Sequence, residues 1–232
     1  MHLAVVIPTY NEAANVVALY ERLRSVLPNT VPLIFVDDAS PDGTASLLRE
    51  RGDDCVHIIS RRAKLGLGSA YREGFAKAIG LGCEWVAQMD ADLSHGPDDL
   101  LHLRDKALGN NRLIIGSRYV DGGAIVGWGP WRHFCSRSAM GFSRLCLDLK
   151  TRDVTSGFRL WAAPLLARVL QAPMASDGYA FQEEMLFRAQ KIGAEIIEVP
   201  ITFRDRQLGQ SKLRWRDVWE FFVVMRALRR QK

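Results

Sequence analysis

The first half of the chain alternates short apolar runs with segments of helical periodicity. The apolar runs cover 3–7, 33–36, 56–59, 85–89 and 113–115, and the helical segments cover 13–27, 44–51, 68–80 and 97–108. Strands that alternate with helices in this way are typical of a mainly parallel sheet flanked by helices. The pattern therefore predicts an α/β fold.

Each apolar run ends in a polar or glycine-containing turn. The most polar of these turns lie at 8–12, 37–38, 90–92 and 116–118. In doubly wound sheets the ligand site lies beyond the carboxyl ends of the strands. We therefore expect these four turns to contribute to one site.

The pattern changes after residue 120. The sequence predicts a mobile glycine-rich loop over 121–130, an amphipathic helix over 131–147, a strand over 196–203, a polar loop over 204–212 and a last helix over 214–230. No internal repeat or low-complexity linker divides the chain. We expect one domain over 1–232, in which 213–232 form an amphipathic helix on a membrane surface.

The composition, with 48% hydrophobic and 25% charged residues among 232, is ordinary for a globular protein. No run approaches the ~20 apolar residues that span a bilayer. The N-terminal apolar run has no basic region ahead of it, which predicts a strand rather than a signal peptide and hence a cytoplasmic protein. The four cysteines are irregularly spaced, which favours reduced thiols over a zinc site.

The net charge of +5 is concentrated at the C-terminal end. From 204 to 232 there are nine Lys/Arg and three Asp/Glu, which leaves the rest of the chain near neutral. On charge alone, phospholipid and nucleic acid both qualify as the anionic partner. Aromatic residues at helical spacing between 215 and 222 favour an interfacial helix, although core packing explains the same spacing.

Asp90 and Asp92 close the apolar run at 85–89. In an extended segment, residues two apart point the same way, so both carboxylates are expected to face one site. Oxygen ligands of this kind suit Mg²⁺ or Mn²⁺ and leave positions for substrate phosphates. A solvated acidic turn is the alternative. The interpretation as a solvated turn is weakened because Asp37, Asp38 and Asp42 crowd a neighbouring strand end. So many carboxylates repel one another unless a cation or hydrogen-bond donors are present.

These segments together resemble glycosyltransferase family 2, whose members have the GT-A type of nucleotide-binding fold. The matching pieces are VVIPTYNE, VDDASPDGT, the turn at 64–68 and MDADLSH. Later segments look like the dolichol-phosphate (polyprenol-phosphate) mannosyltransferases, namely 116–119, 153–159, 178–185 and 199–203, with Arg206 and Ser211-Lys212. The resemblance extends over about residues 3–215.

The resemblance implies a role for each matching residue. Pro8, Tyr10, Glu12, Val36 and Asp38 would hold the nucleoside, and Met89 and Ala91 would add contacts to it. Asp90 and Asp92 would bind the metal. Arg159, Arg206 and Lys212 would hold phosphate groups of the donor, and Arg118, Arg132 and Ser136 would meet the acceptor phosphate. Asp90, Asp92, Arg118 and Glu184 are the expected catalytic residues. Ser94 stands where some relatives carry a Gln metal ligand, and His95 is expected to be packed rather than metal-bound.

The implied reaction is inverting transfer of mannose from GDP-mannose to a polyprenyl phosphate at the inner face of a membrane, with a separate membrane-anchor protein left open. A phosphate acceptor is mostly ionised at neutral pH, so no strong protein base is expected, and Glu183 or Glu184 would position other groups. A uridine diphosphate sugar such as glucose is the nearest alternative donor. A non-catalytic regulator that binds nucleotides or nucleic acid is the alternative of another class, and we expect no nucleic-acid partner.

Overall fold

A computed structural model describes residues 2–178, 180–206 and 215–231, with the backbone alone for 215–218. Lys212, which the sequence predicts to hold phosphate, lies outside the described residues.

Seven of the strands form one sheet in the order β3-β2-β1-β4-β7-β5-β8, and two form a small parallel sheet, β6-β9. The strands are β1 (Leu3–Thr9), β2 (Leu33–Asp37), β3 (Val56–Ser60), β4 (Trp85–Gln88), β5 (Arg112–Ser117), β6 (Ala124–Val126), β7 (Arg159–Ala162), β8 (Glu195–Pro200) and β9 (Thr202–Arg204). In the large sheet only β7 runs antiparallel to its neighbours, β4 and β5. The prediction of a mainly parallel α/β sheet is confirmed.

Six of the described helices lie at segments that the sequence predicts to be helical, whereas two, Ala163–Val169 and Phe181–Lys191, were not predicted. They are α1 (Ala13–Val26), α2 (Thr44–Arg49), α3 (Leu67–Gly80), α4 (Asp99–Arg104), α5 (Pro130–Leu147), α6 (Ala163–Val169), α7 (Phe181–Lys191) and α8 (Trp215–Arg229). The predicted helix at 97–108 is shorter in the structure, because turns replace its final residues.

The core is centred on β1 and β2, whose side chains are almost all buried because helices cover both faces of the sheet. Helix α3 lies close against these strands. A Cβ atom on Gly74 would stand 2.3 Å from Cγ1 of Val6 and 3.1 Å from Cγ2 of Val36, so glycine permits this close approach. The approach holds the N-terminal end of α3 beside the strand ends.

Two strands were missed by the sequence pattern. Strand β6 lies inside 121–130, the segment expected to be a mobile loop, and pairs in parallel with β9. Glycines on both sides of its three residues hide the strand signal. Strand β7 is only four residues long and begins with a charged residue, Arg159, which makes it unlike the other buried strands.

Candidate active site

A cleft of about 280 Å³ opens beyond the carboxyl ends of β1, β2 and β4. Of the predicted donor-site residues, those that line it are Pro8, Tyr10, Glu12, Asp38, Asp90, Ala91, Asp92 and Arg206. The structure therefore brings three of the four predicted turns to one cavity, as expected for a doubly wound sheet.

The backbone bends sharply at each of these three strand ends. Asn11, Ala39 and Leu93 all have positive φ, at 53°, 57° and 61°. This left-handed conformation costs a residue with a side chain roughly 1–2 kcal/mol and is concentrated at functional sites. Leu93 directly follows the second carboxylate of the Asp90–Asp92 pair, so the turn is shaped beside that pair.

The acidic crowding around β2 is relieved by hydrogen-bond donors. Asp37 accepts from the Thr9 hydroxyl at 3.0 Å and from the Ser40 hydroxyl at 2.5 Å. Asp42 accepts from the backbone N–H of Ala13 at 2.9 Å and from the Thr44 hydroxyl at 2.6 Å. These two carboxylates therefore stabilise the turns. Their negative charge is compensated by hydrogen-bond donors, so neither carboxylate requires a cation.

Asp38 lies in the cleft and is held from the side of α3. Its carboxylate accepts from the Arg61 guanidinium at 2.5 Å and from the backbone N–H groups of Leu65 and Gly66 at 3.2 and 3.1 Å. Nearby, the Lys64 ammonium stands 4.1 Å from the centre of the Tyr10 ring. The resulting pocket combines an aromatic ring, a carboxylate and a cation, which together suit a nucleoside diphosphate.

Strand β4 ends at Gln88, so the turn after the strand, and not strand alternation, brings Asp90 and Asp92 to the cleft. Asp90 Oδ1 accepts from the Tyr71 hydroxyl at 2.8 Å. Asp92 accepts from the Ser94 N–H at 3.0 Å and pairs with the Arg206 guanidinium at 3.2 Å.

Burial raises the pKa of the Asp90 carboxyl, and the negative charge of Asp92 acts in the same direction. A cation placed between them would offset both effects. The pair therefore fits Mg²⁺ or Mn²⁺, with diphosphate oxygens and water as the remaining ligands. Within the described ranges, no cluster of three or more His, Cys, Asp or Glu side chains has the arrangement of a metal site.

Ser94 and His95 are buried behind the two carboxylates. The His95 ring stacks on Phe158 at 5.1 Å between ring centres and meets Phe203 edge-on at 5.3 Å. Burial lowers the pKa of His95, so the ring is neutral at physiological pH. His95 is thus a packed histidine, as the sequence predicts.

A second, basic part of the site lies at the end of β5 and the start of α5. The Arg118 guanidinium donates twice to the Asp153 carboxylate, at 2.7 Å each. The Arg132 guanidinium pairs with Asp205 at 2.7 Å and lies 4.2 Å from the centre of the Trp128 ring, which is 5.7 Å from Arg118.

The Ser136 hydroxyl stands 3.2 Å from the hydroxyl of Tyr119, the residue after Arg118. The three residues predicted to meet the acceptor phosphate, Arg118, Arg132 and Ser136, are therefore brought to one area.

The family model of glycosyl transferase family 2 matches residues 4–165. The chain is 40% identical over 213 residues to polyprenol monophosphomannose synthase of Mycolicibacterium smegmatis, a match that covers 90% of this chain and 80% of that protein. It is also 40% identical over 215 residues to undecaprenyl-phosphate mannosyltransferase of Micrococcus luteus, with 92% and 88% covered. This chain belongs to glycosyltransferase family 2.

The fold of this glycosyltransferase is shared with solved structures of glucosyl-3-phosphoglycerate synthase from Mycobacterium tuberculosis. The complex with UDP has 18% sequence identity and a TM-score of 0.70, covering 98% of this chain and 79% of that one. The complex with Mn²⁺, UDP and glucosyl-3-phosphoglycerate has a TM-score of 0.68, with 97% and 76% covered. The expected GT-A type of fold is confirmed.

Besides Arg118, Arg132 and Ser136 of the basic part, four described residues of the predicted site lie outside the cleft lining. Val36 and Met89 are fully buried. Arg159 is fully buried too, and burial lowers its pKa to about 10. Glu184 is buried against the loop before α7, where it accepts from the N–H groups of Ala175 and Ser176. None of these four side chains lines the cleft in the structure. Their roles stay predictions, and backbone contact or support of neighbouring groups fits their burial.

Beside Glu184, burial raises the pKa of the Glu183 carboxyl to about 7. A backbone N–H group and the positive charge of Arg159 act in the opposite direction and favour the ionised form. Glu183 lies in the first turn of α7, and its side chain is buried there.

Helices α5 and α8 pack together and leave an apolar surface, which we call the α5–α8 face. Its exposed side chains are Trp131, Phe134, Phe142 and Leu145 of α5 and Trp219, Phe222 and Val223 of α8. Phe142 and Phe222 join the two helices, with ring centres 5.3 Å apart. Val224, Met225 and Leu228 lie on the buried side of α8. The core-packing interpretation therefore holds for the buried side of α8, and the interfacial interpretation stays a prediction for its exposed side.

No helix among the described residues is long and apolar enough to cross a bilayer.

Sequence reasoning missed several residues that shape the site. Tyr71, Asp153 and Trp128 contact predicted site residues, yet each belongs to a segment whose local pattern is that of a helix or a loop. Arg61, which pairs with Asp38, follows β3 and is therefore at a strand end. Arg61 carried a signal, since the strand-end rule applies to it as well, and Asp153 opens the segment 153–159 that carries the family resemblance.

Proposed function

We propose that this glycosyltransferase transfers mannose, with inversion, from GDP-mannose to a polyprenyl monophosphate, using Mg²⁺ or Mn²⁺ at the cytoplasmic face of a membrane. The identity to two relatives named as polyprenol-phosphate mannose enzymes supports the sugar and the acceptor class. The site geometry supports a donor diphosphate and an acceptor phosphate that lie next to each other.

One observation carries the proposal. Asp205 and Arg206 are consecutive, and they pair with different parts of the site. Asp205 pairs with Arg132 at 2.7 Å, and Arg206 pairs with Asp92 at 3.2 Å. The carboxylates that suit a metal-bound diphosphate therefore lie next to the arginines that suit a second phosphate. A transferase that joins a nucleotide sugar to a phosphate acceptor needs this adjacency.

The residues divide the chemistry between them. An acceptor phosphate oxygen would attack the anomeric carbon while the bond from that carbon to the donor diphosphate breaks, which inverts the configuration. Arg118 and Arg132 would hold the acceptor phosphate and favour its ionised form, so no protein base is required. Arg206 would stabilise the departing diphosphate. A divalent cation held by Asp90 and Asp92 would neutralise part of the same charge.

The α5–α8 face supports the membrane part of the proposal. Arg132 and Ser136 lie in the first turns of α5, and the exposed Phe142 and Leu145 follow further along the same helix. A lipid whose phosphate is held at the start of α5 could therefore extend along an apolar surface. Exposed arginines of both helices, Arg137, Arg144, Arg226 and Arg229, and Arg230 just after α8 would meet anionic head groups.

The test is direct. Purified protein is mixed with Mg²⁺ or Mn²⁺, a short polyprenyl phosphate and either GDP-mannose or UDP-glucose, and the glycolipid is quantified and its anomeric configuration is read by NMR. We expect product from GDP-mannose with inverted configuration. Product from UDP-glucose alone would replace the donor, retention would contradict direct attack, and no product with any sugar would favour a binding protein.

The matched pair of variants is Asp92→Asn and Asp98→Asn. Asp98 is exposed at the start of α4, and among the described residues its carboxylate forms an ion pair only with Arg22, at 4.0 Å. We expect Asp92→Asn to abolish product and Asp98→Asn to leave it unchanged.

A further inference from the structure

The loop that leads into β7, residues 153–159, contacts both parts of the site. On the acceptor side, Asp153 accepts twice from the Arg118 guanidinium and once from the Arg118 backbone N–H, at 2.7 to 2.9 Å. Thr155 Oγ1 accepts from the same guanidinium at 2.6 Å. Among the described residues, every side chain that accepts a hydrogen bond from the Arg118 guanidinium belongs to this loop.

On the metal side, the same loop presses on Asp90. A Cβ atom on Gly157 would stand 2.8 Å from Asp90 Oδ2 and 3.4 Å from the carboxyl carbon. The φ of Gly157 is not in the left-handed region, so the backbone does not require glycine there. Glycine is required here for space. Tyr71 donates a hydrogen bond to Asp90 Oδ1, and Asp90 Oδ2 has room only because Gly157 lacks a side chain.

The buried side chain of Arg159 fixes the backbone of this loop. The buried guanidinium donates to the carbonyls of Val154 at 2.9 Å, Ser156 at 2.8 Å and Gln182 at 2.8 Å. The Ser156 hydroxyl donates to the carbonyl of Gly116 at 2.6 Å, which ties the loop to β5. Because its N–H groups donate to backbone carbonyls, this arginine stabilises a backbone conformation rather than a ligand.

We propose that residues 153–159 are a positioning element that sets the Asp90 carboxylate and the Arg118 guanidinium relative to each other. Gly157 keeps Asp90 Oδ2 in place, Asp153 and Thr155 orient Arg118, and Arg159 holds the loop between them. The inference rests on the proposed function, since it assumes that Asp90 serves the metal-bound donor and Arg118 the acceptor phosphate. Arg159 thereby acts through the loop and not by touching phosphate.

Two small substitutions separate the two ends of this element. Gly157→Ala should crowd Asp90 and weaken Mn²⁺ binding by about 10–100-fold, the range seen when groups that orient metal ligands are changed. Thr155→Val keeps the side-chain shape but removes one acceptor from Arg118, and should weaken binding of polyprenyl phosphate by about tenfold. Each should leave the other ligand's affinity within about twofold of the parent value.

The experiment measures Mn²⁺ binding by electron paramagnetic resonance in the presence of GDP, and polyprenyl phosphate binding by ³¹P NMR titration. Gly80→Ala is the control for Gly157→Ala, because a Cβ there meets nothing within 4 Å and its φ is not positive. Asp90→Asn serves as the reference for loss of the metal site. Thermal unfolding of every variant is recorded alongside.

Each variant is expected to lose affinity for one ligand and to keep its affinity for the other. A merely structural loop would not produce this separation. If folded Gly157→Ala binds Mn²⁺ as tightly as the parent protein, the inference is overturned. It is also overturned if a variant loses affinity for both ligands equally, in proportion to its loss of thermal stability. If Gly157→Ala does not fold, Thr155→Val decides, and unchanged acceptor binding then overturns the inference. Parent-like Mn²⁺ binding by Asp90→Asn would instead refute the metal site and with it the proposed function.

Discussion

Glu184→Gln distinguishes a supporting carboxylate from a catalytic base. The Glu184 carboxylate is fully buried in the first turn of α7. It accepts from the N–H groups of Ala175, at 2.9 and 3.0 Å, and Ser176, at 2.9 Å, and from the Arg188 guanidinium at 2.6 Å. All of these partners are donors. The amide group of glutamine would therefore turn its own donors toward at least one of them.

The expected loss of stability follows from these contacts. Hydrogen bonds to a charged group are worth about 1.5–3 kcal/mol each, and removing one partner of a buried ion pair costs about 3–5 kcal/mol. Glutamine keeps one acceptor oxygen, so we expect the free energy of unfolding to fall by about 2–4 kcal/mol. The loop that Glu184 holds leads to Gly178, which lines the cleft, so KM for the donor should rise. The value of kcat should change less than about tenfold, because Glu184 does not line the cleft.

Urea denaturation and steady-state kinetics measure the two effects. Glu195→Gln is the matched control, since Glu195 pairs with Arg112 on the exposed surface and should contribute no more than about 1 kcal/mol. A loss of kcat of about 10³ or more, with unchanged stability and normal binding of donor and acceptor, would refute this reasoning. General-base catalysis by Glu184 would then be required.

Three further predictions follow from the site. Asp90→Asn, or a chelator added to the parent enzyme, should lower transfer by about 10³-fold, and full turnover in excess chelator would contradict a metal-dependent reaction. Trp219→Ser should weaken binding to anionic vesicles about tenfold while nucleotide binding is unchanged, whereas Leu108→Ser, at a similarly exposed position elsewhere, should have no effect. Equal vesicle binding by both variants would argue against the α5–α8 face. We expect donor and metal to order 121–130 over the sugar and so to slow hydrogen exchange there, and identical exchange in both states would contradict this closure.

The vesicle experiment uses a surface substitution because of how α8 is packed. Val224, Met225 and Leu228 are buried, so deleting the helix would also remove part of the core. A truncated protein could fail to bind vesicles simply because it unfolds. Replacing an exposed ring leaves the buried side of the helix unchanged.

The sequence by itself determined the alternation of strands and helices and the position of the donor cleft. Both depend on local information: apolar periodicity marks each element, and parallel strands bring their carboxyl ends to one edge. Tyr10, Asp38, Asp90 and Asp92 were found in this way, and all four line the cleft. The family resemblance added Arg118, Arg132 and Ser136, which the fold brings together although they come from different elements.

Only the tertiary structure decided which charged residues face the cleft and which support it. Arg159 and Glu184 look like exposed functional groups in the sequence, yet both are fully buried and bound to backbone groups. The contact of Gly157 with Asp90 joins residues far apart in the chain, and no local pattern predicts it. Burial and long-range pairing depend on how the elements pack, so charge and spacing along the chain cannot separate a ligand-binding arginine from one that holds a loop.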